Sequence, residues 1–129
     1  MAKFINTALY DVALSYLQSN GDKLCVCSSA PVDYTTAITT YKLAIKTITS
    51  GDYTGPTAGD GGGNSRKITV NEQATITIDS SGTATYIAIA SSGLTQLLIS
   101  TTCTSQELTS GGGNTVTIPA WKWELSDIS

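Results

Sequence analysis

Histidine is absent from this chain of 129 residues, and charge is scarce, with 7 basic and 10 acidic side chains making up 13% of the whole. A globular domain ordinarily carries roughly 25%. Without His the commonest general base and metal ligand is missing, which excludes Ser-His-Asp and Cys-His catalysis and His-ligated zinc. A net charge of −3 with so few cations opposes nucleic-acid binding, which needs a concentrated basic footprint. No apolar run approaches the ~18 residues of a membrane span. The stretch MAKFINTALYDVALSYL carries Asp11 and no unbroken apolar segment, so it does not read as a secretory signal. Three cysteines, an odd number, fit folding in a reducing compartment.

What is present is hydroxyl: 21 Thr and 15 Ser, with 12 Gly beside them. The length suits one domain, residues 1–129. Phe4, Ile5, Ala8, Leu9, Val12, Ala13, Tyr16 and Leu17 recur at three- and four-residue spacing, which predicts an amphipathic helix over about 4–20 with this stripe docked on a sheet. Asn20-Gly21 follows, and Gly at that point predicts a left-handed helix end. Leu24 and Val26 then alternate with Cys25 and Cys27 as a buried strand. Ala30 to Tyr34 reads as a turn or short helical loop, and Tyr41, Leu43 and Ile45 alternate with Lys42, Ala44 and Lys46 as a further strand. Residues 50–65 hold six Gly, one Pro and two Asp, a composition that predicts a mobile loop.

From Lys67 onward short alternating segments are separated by Gly/Ser turns at Asp79–Gly82, Ser91–Gly93 and Ser110–Asn114, ending on Trp121 and Trp123. The expected fold is mainly β, a sandwich or jelly roll of about 7–8 strands over about 23–128, with the one N-terminal helix. The 27 residues from Ser80 to Gln106 contain no charge at all. Within them Tyr86-Ile87-Ala88-Ile89-Ala90 is apolar on both faces, which implies a strand covered twice, its second face meeting the helix or another subunit. Strand edges without charge are poorly defended against pairing with other chains.

No motif in the chain carries chemistry. Cys25-x-Cys27 with Cys103 lacks a fourth zinc ligand and reads as buried small hydrophobes. Gly59 to Lys67 resembles a phosphate cradle only superficially, because Lys67 opens a strand and is followed by Ile68. Asp52 and Asp60 lack the dense spacing of a calcium loop, and no carboxylate pair is nominated for hydrolysis. Catalytic, cofactor and metal residues are therefore all assigned as none. Tyr53, Asp60, Asn64 and Arg66, in and beside the Gly-rich segment, are candidate interface residues. Trp121 and Trp123 join them as packing or interface groups; stacking of sugars on these two with Tyr86 is the alternative.

Ala8-Leu9-Tyr10-Asp11-Val12-Ala13-Leu14, the Asn20-Gly21-Asp22-Lys23-Leu24 exit into a Cys-containing strand, and Pro31 to Tyr34 form a pattern with Lys42-Leu43 to Lys46-Thr47. Arg66-Lys67-Ile68-Thr69-Val70, Gly82 to Ile89 and Thr109 to Ala120 complete it. Over nearly its full length the chain resembles small structural proteins of tailed-bacteriophage virions, of the capsid decoration or cement kind. That family pattern carries His at the position of Tyr86. The resemblance implies a non-enzymatic virion protein made in the bacterial host cytoplasm, binding the major capsid protein or other virion proteins, with no cofactor. A tail or tail-fibre component with glycan binding is the alternative. No nucleic-acid or membrane partner is expected, and a homo-oligomer is. The purified chain should self-associate; a clean monomer by sedimentation at high micromolar concentration would contradict this.

Overall fold

The computed structural model describes residues 4–126. One α-helix, α1 (Thr7–Asn20), precedes nine strands: β1 (Lys23–Cys27), β2 (Lys42–Thr47), β3 (Tyr53–Ala58), β4 (Arg66–Val70), β5 (Gln73–Thr77), β6 (Gly82–Ser91), β7 (Gln96–Leu108), β8 (Thr115–Ile118) and β9 (Trp121–Leu125). They form three antiparallel sheets, ordered β2-β1-β6-β7, β3-β4-β9 and β5-β8. The mainly-β architecture with one N-terminal helix is as the sequence implies. The ninth strand arises inside the segment expected to be a mobile loop: Ser50–Asp52 is a 3₁₀ turn and Tyr53–Ala58 pairs with β4. Local composition disfavours order there, but ladder bonds to Arg66–Val70 supply it from outside the segment.

Two apolar clusters lie on opposite faces of the four-stranded sheet. On one face Leu24, Val26 and Ile89 pack with Ile68 and Val70 of β4, Ile76 and Ile118 of the two-stranded sheet, and Leu14 and Leu17 of α1. On the other, Cys25, Cys27 and Ala88 meet Ala37, with Tyr86, Tyr41 and Ile45 around them. Ala37 belongs to a π-helical turn, Thr36–Thr40. The double cover expected for Tyr86–Ala90 is present, with Ala88, Ile89 and Ala90 fully buried. The three-stranded and two-stranded sheets cover one face, with Leu14 and Leu17 of a helix that lies mainly on β3 and β4, and the short Thr36–Thr40 turn packs on the other.

β7 is an edge strand of 13 residues, uncharged until Glu107. Its register with β6 shifts twice, between Ala84 and Tyr86 and between Ile89 and Ala90. Such irregularities bend an edge away from a flat pairing template. The edge is thus protected by backbone geometry where charge is missing.

Two expectations for the helix are corrected. It starts at Thr7, with the Asn6 side chain accepting from the Ala8 N–H at 2.8 Å as N-cap, so Phe4 and Ile5 precede it. The face it docks is Tyr10, Leu14 and Leu17; Leu9, Val12, Ala13 and Tyr16 face outward. The helix is apolar on two sides, and the sequence period cannot choose between them. Nor does Gly21 end it in a left-handed conformation, its φ being −79°. Glycine is required there for space: an added Cβ would lie 2.6 Å from Ile89 Cγ2 and from the Tyr53 hydroxyl, and 2.8 Å from the Leu17 carbonyl oxygen. Gly21→Ala should therefore cost about 1–3 kcal/mol by overpacking, and Ile89→Ala about 2–5 kcal/mol by leaving a cavity. Val12→Ser, on the outward face, should leave the urea midpoint of the monomer unchanged. Urea unfolding followed by circular dichroism checks all three.

Candidate functional site: a latched glycine loop beside the helix

Strand alternation sorts the β9 side chains. Trp121, Trp123 and Leu125 turn toward the main core, while Lys122 and Glu124 turn outward. Antiparallel register sets Glu124 opposite Lys67 and Lys122 opposite Thr69 of β4. This row of charges holds the Gly-rich loop. Asp60 Oδ1 accepts from Lys67 Nζ at 2.8 Å and Asp60 Oδ2 from Lys122 Nζ at 2.5 Å. Lys122 also donates to Glu124 Oε1 at 2.9 Å, and Glu124 Oε2 accepts from the Gly61 N–H at 2.8 Å. Within the loop the Gly59 N–H donates to Ser65 O, and the Ser65 hydroxyl donates to Gly62 O. Gly62 and Gly63 adopt φ of 76° and 57°, the left-handed region, at its open tip.

The same edge secures the helix. Arg66 donates to both carboxylate oxygens of Asp11, at 2.7 and 3.3 Å, and to Pro56 O. Asn64 Nδ2 donates to the Ile5 carbonyl oxygen at 3.4 Å. The loop tip and the segment leading into the helix are therefore neighbours. Asp60, Lys67, Lys122, Glu124, Asp11 and Arg66 are three acids and three bases, so this edge is charge-balanced internally.

Of the residues singled out from sequence, Asp60, Asn64 and Arg66 are brought together along this edge. Tyr53 is buried, its hydroxyl donating to Gly21 O at 2.7 Å, and burial pushes its phenol well above the ordinary value. It is a fold contact and not a surface group. Trp121 and Trp123 are half-buried against the main core, whereas Tyr86 belongs to the cluster on the far side of the four-stranded sheet. The three rings form no common platform for a sugar. The Trp121 Nε1 atom is buried with no hydrogen-bond partner among the described residues. Trp121 lines a groove of about 330 Å³ with Ile87, Cys103, Ile118 and Lys122. Lys67, Lys122 and Glu124 were missed as loop anchors. Their shared face is visible in the alternation of Lys122 and Glu124, but their register with β4 is not.

Cys25 and Cys27 behave as buried hydrophobes, whereas Cys103, expected to be buried with them, is partly exposed. Burial pushes Cys25 up to about 12 and Cys27 up to about 11, and Cys27 Sγ lies 3.6 Å from Ala37 O. All three are unpaired, and no group of three or more His, Cys, Asp or Glu side chains converges as a metal site among the described residues. No family model, curated protein or solved structure matches this chain. What fold and site define is a β-rich domain whose scarce charges tie down one loop and one helix.

Hydrogen bonds from Lys122 and then Lys67 hold the Asp60 carboxyl down to about 2, from an ordinary 3.8. Lys122, followed by the Gly61 N–H, likewise lowers Glu124. A depressed carboxyl stabilises the folded state fully above its ordinary value and loses that contribution as pH falls toward the folded one. Loop order should therefore persist at pH 5 and fade between pH 4 and pH 2, and Asp60→Asn should remove most of that acid step. Amide shifts of Gly61–Gly63 across an acid titration measure it. Thiol labelling at pH 8 should modify Cys103 first in the native protein, with Cys25 and Cys27 reacting only on unfolding, because a thiolate is the reactive form.

Proposed function

We propose that this chain is a non-enzymatic structural protein of a tailed-bacteriophage virion, a capsid decoration protein that binds the major capsid protein. The observation that carries the reading is the adjacency of the two elements expected to make the contact: Asn64, in the glycine loop, is bonded to Ile5, just ahead of the helix. Together they offer one surface rather than two separated ones. The surface combines exposed backbone at Gly61–Gly63 with apolar side chains, and its charges are already paired. A surface of that kind can make many weak, uncharged contacts, whose strength is multiplied when copies sit on a repeating shell. The sequence resemblance to virion proteins supports the same reading.

The test is a cryo-EM reconstruction of the virion. Density for this chain on the outer face of the head shell is expected; density only in the tail would replace the decoration role with the tail alternative, and absence from the particle would overturn both. Gly62→Asp probes the surface directly. An added Cβ meets nothing within 4 Å there, and Asp is among the side chains least strained at a positive φ, so the change is confined to the loop tip. Binding of this variant to undecorated capsids should fall at least tenfold.

A further inference from the structure

Among the described residues, four of the six large hydrophobic side chains left exposed lie in or just before the helix: Phe4 at 76%, Leu9 at 65%, Val12 at 68% and Tyr16 at 50%. At about 100° per residue, Leu9, Val12 and Tyr16 share a stripe roughly 140° around from the docked face of Tyr10, Leu14 and Leu17. Their spacing is three and then four, the rhythm of a coiled-coil seam. A twofold axis midway between Leu9 and Val12 would set Leu9 against the second copy's Val12.

We infer that this helix face is the contact between two copies of the chain, packed antiparallel about a twofold axis. Area is the first argument. The exposed side chains leave on the order of a few hundred Å² of apolar surface open on each copy, so a pair approaches the roughly 1,000 Å² of a specific interface. Ala8 and Ala13 flank the stripe and add to it while letting the backbones approach closely. Charge is the second. The only charged residue of α1 is Asp11, which points away from the seam to Arg66, so two copies meet without like-charge repulsion and their helix dipoles oppose. A membrane surface fits poorly, because a lipid-seeking helix carries Lys or Arg along its polar face and this one carries none. The contact does not depend on the virion reading, and it moves self-association from the strand edges, where the sequence alone placed it, to the helix.

Analytical ultracentrifugation of the purified chain tests it, with a Leu9→Lys/Val12→Lys double variant and a Thr101→Lys control on the β7 edge. Both substituted helix residues are exposed in the single chain, so the variant should keep its far-UV spectrum and thermal midpoint at low concentration. The expected result is a wild-type dimer at 100 μM, twice the 13.4 kDa chain, with association weakened at least tenfold toward monomer in the helix variant and unchanged in the control. A wild-type monomer at that concentration, with or without binding to lipid vesicles, overturns the inference. So does a dimer that survives the helix substitutions, or one that Thr101→Lys dissolves. Loss of capsid decoration with the dimer intact would count against the proposed function alone.

Discussion

At Gly21 the helix ends, the first strand begins and the β3 strand crosses beneath, all within the room that one missing methyl group leaves. The buried hydrogen bond from the Tyr53 hydroxyl to the Gly21 carbonyl oxygen, 2.7 Å long, fixes this crossing. Asp22, the next residue, extends it: its N–H donates to Ala90 O, its carbonyl oxygen accepts from the Ile48 N–H, and its carboxylate accepts from the Ser92 N–H and hydroxyl. Burial opposes ionisation of that carboxyl, yet the Ser92 hydrogen bonds outweigh it and hold it below its ordinary value. Helix, four-stranded sheet and three-stranded sheet are therefore referenced to two consecutive residues. The angle at which α1 lies on β3 and β4, and so which of its two apolar faces is covered, follows from that junction.

Much of the strand pattern was legible in residues that alternate. Leu24 to Cys27, the doubly apolar Tyr86 to Ala90 and the Trp121/Trp123 pair each occupy the environment their spacing implies. The misreadings share a cause, which is that the deciding partner lies far away in the chain. Tyr53 to Ala58 is a strand only because β4 pairs with it. Apart from Leu17, the helix stripe was assigned to the wrong side, because Tyr10 and Leu14 compete with Leu9, Val12 and Tyr16 on equal local terms, and the Asp11–Arg66 pair, 55 residues apart, favours the former. At the candidate site, Asp60, Asn64 and Arg66 were recognisable as a group, but Lys122 and Glu124 enter through a register that no local rule specifies.

Scarcity of charge takes on a positional meaning in the folded chain. Six of the 17 charged residues serve the loop and the helix attachment along one edge, and the longest uncharged stretch falls into two parts of different character. Its first part, β6, is covered on both faces over Ala88, Ile89 and Ala90. Its second, β7, is an open edge guarded by irregular register. Hydroxyl side chains suit both settings, since Thr and Ser can stay at the surface without repelling a neighbour and can bond locally where they are half-covered.

The latch on the glycine loop has a consequence in time as well as in space. The β6–β7 hairpin can close across a few residues, but the Gly61 N–H finds its acceptor on Glu124, 63 positions further along. Closing so long a segment carries a larger entropy cost than closing a hairpin, and contacts of that span form late when a chain acquires its structure. The loop is thus ordered by the last strand to be synthesised of those described. The surface at its tip matures only after the sheets behind it exist, so an incompletely folded chain would present its core-forming strands without yet presenting the loop in its final shape.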